Sequence, residues 1–157
     1  MKTLAHKLIS VASGVPSIAT GDIVICNVDL AMIHDSGGPR RVKPILERLN
    51  RSVWDKDKVV VVTDHYVPAI NAETQAIQAL TKEWVREQDI EKFYDEQGIS
   101  HVVLPERGHL SPGKFCVGGD SHSPTGGAFG AYMYATDARA AVTAFMYSDA
   151  LIRIAAY

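Results

Sequence analysis

The segment Gly118 to Gly130, GGDSHSPTGGAFG, sets a carboxylate, hydroxyls and an imidazole between glycine pairs. Asp120, Ser121 and His122 are three different kinds of proton-handling group within one turn. A carboxylate beside a histidine orients the ring, fixes its tautomer and raises its affinity for a proton. The same pairing recurs at Asp64-His65. Such groups suit acid–base work on a small substrate. Ser121 does not sit in a G-x-S-x-G elbow, because Asp120 precedes it and His122 takes the middle place, so a hydrolase nucleophile is not expected. The glycines lack G-K-[ST] and G-x-G-x-x-G, so they make no phosphate loop. They do permit close backbone approach and offer N–H groups ahead of a helix, which suit a carboxylate ligand. A purely structural glycine turn is the plain alternative.

The elements that must position these groups alternate between β-rich and helical runs. The opening MKTLAHKLISVASGVPS reads as a short amphipathic helix. Asp22 to Met32 reads as a strand. Pro39 to Asn50 reads as a helix with Pro39 in its first turn and Val42, Ile45, Leu46 and Leu49 on one stripe; Pro44 is expected to bend it or delay its start. Asp57 to His65 holds four consecutive valines, the mark of a strand covered on both faces. Ala72 to Ile90 reads as a helix with Ile77, Leu80, Trp84 and Val85 on its apolar stripe. SHVVLPE (Ser100 to Glu106) and KFCVGGD (Lys114 to Asp120) read as further strands, joined by the turn-rich RGHLSPGK. Strands alternating with helices predict an α/β domain of stacked layers.

In open α/β sheets, ligands bind at the carboxyl ends of the strands. His34 and Asp35, Asp64 and His65, and Asp120 to His122 all fall at such ends. His101, at the start of its own predicted strand, fits this placement less well. Neighbours on a strand point to opposite faces, so Asp64 is expected to be free to pair with a histidine other than His65. Cross-pairing among Asp35, Asp64, Asp120 and the histidines stays open. His6 and His109 read as ordinary surface or turn histidines.

Length and composition narrow the class. The chain has 157 residues, 46% of them hydrophobic, which suits one folded domain or a piece of a larger protein. A net charge of −2 excludes a basic nucleic-acid footprint. No apolar run reaches the roughly 18 residues that span a bilayer, and His6, Lys7 and Ser10 interrupt the signal-like start, so the cytoplasm is the expected compartment. Cys26 and Cys116 belong to no C-x-x-C pair, sit in apolar runs and read as buried free thiols.

GGDSHSPTGGAFGAYM resembles the D-S-H-[ST]-x-x-x-G-[AG]-x-G signature of the aconitase superfamily. GDIVICNVDLAMIHDSGGP, VVVVTDHYVPA and YDEQGISHVVLPERGHLSPG resemble further blocks of that family, in the family's order. The likeness runs from residue 1 to about 134 and is greatest to large subunits of the 3-isopropylmalate dehydratase type, with homoaconitase-like and dimethylmalate dehydratase-like relatives. It implies a three-layer α/β/α aconitase-like first domain with a mostly parallel sheet. It also implies a hydro-lyase of the leucine-biosynthesis type. Such enzymes dehydrate and rehydrate 2-hydroxy di- or tricarboxylic acids with a [4Fe-4S] cluster, one iron of which takes the substrate hydroxyl and a carboxylate. By the same resemblance Asp64 and His65 match the active-site Asp-His step, in which the histidine assists the leaving hydroxyl. His101 matches a second active-site histidine, paired with an acid further along. His122 lines the site with Asp120 supporting it, and His34, Ser121 and Thr125 contact substrate. The family's general base is a serine near the far end of the protein, so Ser121 is not the base.

The sequence also departs from the family. The cluster cysteines, one alone and then a C-x-x-C, lie beyond residue 157 in the family, and Cys26 and Cys116 do not match them, so this chain alone is expected to hold no cluster. The family's GICH is GISH here, with Ser100. Residues 135–157 leave the family pattern, although Val142, Phe145, Met146 and Leu151 suit a helix. The expectation is therefore a truncated first domain, inactive alone, that works with the missing large-subunit domains and a separate small subunit. Two rivals stand beside it. One is a stand-alone mononuclear metal enzyme using Asp64, His65, Asp120 and His122. The other is a non-catalytic paralogue or binding module.

Overall fold

The computed structural model describes residues 2–136 together with the backbone of 149–153. Helix α1 spans Leu4–Ser13, capped by the Thr3 hydroxyl and closed by Gly14 in the left-handed region. Strand β1 (Ile23–Asn27) and strand β2 (Leu30–His34) follow. Then come α2 (Pro39–Arg48), β3 (Val59–Thr63), α3 (Ala72–Glu87), β4 (Phe93–Asp95), α4 (Ser100–Glu106), β5 (Phe115–Gly118), a 3-10 helix (Ser123–Phe129), β6 (Tyr132–Ala135) and β7 (Asp149–Arg153).

Among the described residues the main sheet has five parallel strands in the order β4-β3-β2-β5-β6. The chain steps outward from β2 through β3 to β4, then returns to β5 on the other side of β2. The strand order thus reverses between β2 and β5, the point at which a doubly wound sheet opens a crevice at its carboxyl edge. Helices cover both faces. On one face Ile9 of α1, Val42 and Leu46 of α2, and Trp84 and Val85 of α3 pack on Ala31, Ile33, Val59, Val61 and Val117. On the other, Leu104 of α4 packs with Leu110 and Met133 on Met32, Val60, Val62 and Cys116. The fold is therefore the three-layer α/β/α arrangement that the resemblance implies. Val59 to Val62 feed the two faces alternately and are all buried, which explains the unbroken valine run. Each such side chain contributes about 2 kcal/mol of transfer free energy.

Several sequence expectations need correction. Asp22 to Met32 is two strands. Asp29 breaks it: its carboxylate accepts the Phe115 N–H at 2.8 Å and its own N–H donates to Phe115 O at 2.8 Å. Before this turn β1 pairs antiparallel with β7, and after it β2 enters the main sheet. Ser100 to Glu106 is helix α4, not a strand. Leu151 lies in β7 rather than in a helix, and Val142, Phe145 and Met146 lie outside the described residues. Helix α2 begins at Pro39 despite Pro44. Helix α3 starts from a reciprocal Asn71–Thr74 capping box.

The glycine turn after β5 answers a steric demand. A Cβ on Gly118 would lie 1.9 Å from Ser123 Oγ and 2.5 Å from Ser123 Cβ, so the 3-10 helix presses on this backbone. Gly118→Ala is expected to destabilise the fold by about 2 kcal/mol or more through overpacking. Gly127→Ala, where a Cβ meets nothing within 4 Å, is expected to stay within about 0.5 kcal/mol of the native chain. Urea unfolding of the two variants checks the contrast.

Candidate active site

The sequence-predicted site residues lie at the carboxyl edge of the sheet: His34 at the end of β2, Asp64 and His65 after β3, His101 at the start of α4, Asp120 to His122 after β5, and Thr125 in the 3-10 helix. Asp120, two residues past β5, is the meeting point. Its Oδ1 accepts the His122 backbone N–H at 2.7 Å and the His101 Nε2–H at 2.7 Å. His122 Nδ1 lies 3.3 Å from that oxygen. On the other side Asp120 Oδ2 faces His34 Nε2 at 3.7 Å and His65 Nε2 at 3.8 Å. One carboxylate thus draws imidazoles from four segments of chain.

The second acid is tied to its sequence neighbour. Asp64 Oδ1 lies 2.6 Å from His65 Nδ1, and Asp64 Oδ2 accepts the Ser100 N–H at 2.7 Å. The alternation argument that freed Asp64 for another histidine fails because β3 ends at Thr63, so Asp64 and His65 lie on a turn. The bond to Ser100 also explains α4. Ile99, at the N-cap position, supplies no side-chain cap, and a carboxylate 36 positions away satisfies the first free N–H instead. That helix start places His101 over the edge rather than on a strand.

His34 ends β2 and is buried. Its Nε2 bonds the Gly119 carbonyl at 3.1 Å and its Nδ1 bonds Ser36 Oγ at 3.1 Å. A carbonyl only accepts, so the proton sits on Nε2 and Nδ1 accepts from the serine hydroxyl. The ring stacks on His65 with centroids 4.0 Å apart and planes 9° from parallel. Burial, and then the neighbouring His65, hold His34 below its ordinary protonation range and outweigh the nearby acids. His34 is therefore a neutral platform for the more exposed His65.

Asp35, beside His34 at the end of β2, supports the site in a way its sequence position does not show. It is fully buried, and its carboxylate accepts N–H groups from Ser36 at 3.0 Å, His65 at 3.1 Å and Tyr66 at 3.0 Å. A buried carboxylate needs such partners, and here they fix the turn that carries Asp64 and His65. An acid following a strand is the only local signal; its partners lie some thirty positions on. Ser121 is exposed, with its hydroxyl 3.4 Å from His122 Nδ1. Thr125 donates its hydroxyl to His122 O at 2.7 Å, which firms the start of the 3-10 helix. Beside them a cavity of about 510 Å³, largely apolar, is lined by His101, Val102, Pro105, Glu106, Thr125 and Phe129.

The cysteines stand apart from this edge. Cys26 packs in the core on one face of the sheet and Cys116 on the other, and burial pushes their thiols up to about 11 and about 12. Neither is a ready thiolate ligand. The residues present therefore do not fit the cysteine ligation of an iron–sulfur cluster.

A doubly wound α/β domain with acid–histidine pairs at its switch point defines a class of small-molecule site. Residues 7–153 match the aconitase family (aconitate hydratase), and the chain belongs to that family. It is 48% identical to the 3-isopropylmalate dehydratase large subunit 1 of Methanopyrus kandleri over 132 residues, covering 83% of this chain and 31% of that protein. It is 41% identical to the probable methanogen homoaconitase large subunit of Methanothermobacter thermautotrophicus, covering 85% of this chain and 33% of that protein. It is 42% identical to the 3-isopropylmalate dehydratase large subunit of Herpetosiphon aurantiacus, covering 87% and 34%. The chain spans about a third of the length of these curated relatives. Among the described residues no helix is long and apolar enough to cross a membrane.

Two outcomes follow from this geometry. Asp35→Asn offers one acceptor oxygen and places an amide against N–H donors. It is expected to cost about 1–3 kcal/mol and to speed amide exchange at His65 and Tyr66 above that of β3, as read by NMR. Stability is also expected to fall in two stages on acidification. Burial raises the Asp64 and Asp120 carboxyls, but the bonds from Ser100, His65, His122 and His101 outweigh it and hold both below the ordinary 3.8. Below pH 6.5 the unfolded chain takes up a proton that His34 resists, and below 3.8 it takes up protons that the two carboxylates resist. Both stages lower stability as pH falls. In urea midpoints measured against pH, Asp64→Asn and Asp120→Asn should flatten the lower stage and deepen the upper one, because each carboxylate favours a proton on His34.

Proposed function

We propose that this chain is the first α/β domain of a hydro-lyase of the 3-isopropylmalate dehydratase type. It would contribute the acid–histidine part of a site that dehydrates and rehydrates a 2-hydroxy di- or tricarboxylic acid. The observation that carries this reading is the Asp64–His65 pair, with Nδ1 held at 2.6 Å by the carboxylate and the ring backed by neutral His34.

Dehydration breaks a C–H and a C–O bond on adjacent carbons. The hydroxyl must gain a proton to leave as water. An imidazolium at His65 suits that step: Asp64 stabilises its charge through Nδ1–H and leaves Nε2–H to donate to the departing oxygen. Rehydration returns the proton to Nε2. His101 and His122, held on Asp120, would line the site and face the substrate's carboxylate groups. His34, Ser121 and Thr125 complete this side of the site. The C–H proton goes to a base outside this chain, the role that the resemblance gives to a serine far along the family's sequence. The [4Fe-4S] cluster of the full-length family would activate the hydroxyl as a Lewis acid and would be held by cysteines that this chain lacks. A small subunit and the remaining large-subunit domains would be the partners, and the cytoplasm the setting.

The test is a titration of the isotope-labelled chain with 3-isopropylmalate. Saturable NMR shifts at the imidazoles of His65, His101 and His122 are expected, weakened about tenfold by Asp120→Asn, as for loss of a bonded charge. No turnover to the unsaturated acid is expected from the chain alone. Shifts confined to another surface, or none at all, would remove the assignment. Dehydration by the purified chain would overturn its dependence on other domains.

A further inference from the structure

The thiols are sealed in the core, whereas the donors gathered at the sheet edge are nitrogen and oxygen. His101, Asp120 and His122 each offer one donor atom within 4.8 Å of the others. We propose that this chain binds one divalent transition-metal ion, such as Zn²⁺ or Fe²⁺, through His101, Asp120 and His122. This inference does not rest on the hydro-lyase reading.

Two imidazoles and one carboxylate, with other positions open, form a donor set that suits both ions. Metal–donor bonds of about 2.0–2.2 Å place the donors of a tetrahedral site roughly 3.3–3.5 Å apart. The His122–Asp120 gap of 3.3 Å already has that spacing. The His101–Asp120 gap of 2.7 Å is a hydrogen bond, so a proton occupies the place the ion would take. Opening it to the tetrahedral spacing needs about 0.6–0.8 Å. The side chains of His101 and Asp120 are 17% and 11% exposed, and that of His122, the donor with most room to adjust, is 79% exposed.

The surrounding contacts support the carboxylate and leave room for ligands. The His122 backbone N–H, bonded to Asp120 at 2.7 Å, orients the carboxylate as an outer partner does in metal sites. The open positions would take water, and the adjoining apolar cavity of about 510 Å³ has room for a small organic ligand on the ion. A second group, His34, Asp35, Asp64 and His65, is equally compact but already committed. Asp35 binds three backbone N–H groups, Asp64 binds Ser100, and His34 Nε2 binds Gly119 O. The structure therefore favours the group around His122 over the sequence-level set of Asp64, His65, Asp120 and His122.

The experiment strips the purified chain of metal and titrates it with Zn²⁺ by calorimetry, then with Co²⁺ by visible absorption. One ion per chain is expected, with a dissociation constant in the micromolar range or below and a Co²⁺ spectrum free of thiolate charge transfer. His122→Ala should weaken binding about tenfold or more, as for loss of a ligand, and His6→Ala on the exposed N-terminal helix should leave it unchanged. His122 is exposed, so its variant should keep the native circular dichroism and decide the matter even if Asp120→Asn does not fold. Millimolar binding by the native chain, equal affinity in His122→Ala, or a thiolate band with Co²⁺ would each overturn the proposal.

Discussion

The carboxylate of Asp120 is the tie on which the functional edge depends. It sits at the strand-order reversal, where the loops after β2 and β5 diverge, and it bonds to groups from both sides. His101 holds α4 against it, His122 folds back onto it, and the stacked His34 and His65 rings face its second oxygen. A parallel sheet brings strand ends to one edge but does not fix what the loops do there. Here a single anion supplies that convergence, because each imidazole gains by approaching it.

The other two acids work on the backbone. Asp35 and Asp64 each accept main-chain N–H groups, from the turn after β3 and from the start of α4 respectively. Burying a carboxylate without partners is costly, so each acid strongly prefers the one loop conformation that surrounds it with donors. The loops are therefore specified by charge satisfaction rather than by apolar packing. The donors more than offset that cost at Asp64 and Asp120, whose protonation is depressed, and this links the shape of the site to pH.

Much of this was legible in sequence where the signal is local. The valine run of β3, the amphipathic stripe of α3, and the glycine turn after β5 each state their structure within a few residues. The two acid–histidine pairs were legible as chemistry for the same reason. Other features depend on contacts far along the chain. The division of Asp22 to Met32 comes from Asp29 meeting Phe115. The SHVVLPE run has β-branched residues that favour a strand, yet a carboxylate from another loop caps it as a helix, and Val103 and Leu104 then turn inward while Val102 stays exposed. Asp35 was readable as an acid at a strand end, but its role as the organiser of the next loop was not, since its partners lie across the sheet.

The surroundings of the site set the strength of its electrostatics. Ile99, Val102 and Phe129, around the same edge, are 62%, 48% and 42% exposed, an unusual outlay of apolar surface beside charged groups. At ordinary solvent exposure an imidazole–carboxylate attraction is weak, because water screens it; behind an apolar cover the same pair is several times stronger. The Asp64–His65 and Asp120–His101 pairs already have the short contacts such strengthening would act on, while the His65 and His122 side chains remain 39% and 79% exposed. Geometry is thus set within this chain by carboxylates bonded to backbone and imidazole. Dielectric is the remaining variable, and whatever covers the apolar rim would strengthen these pairs without moving them.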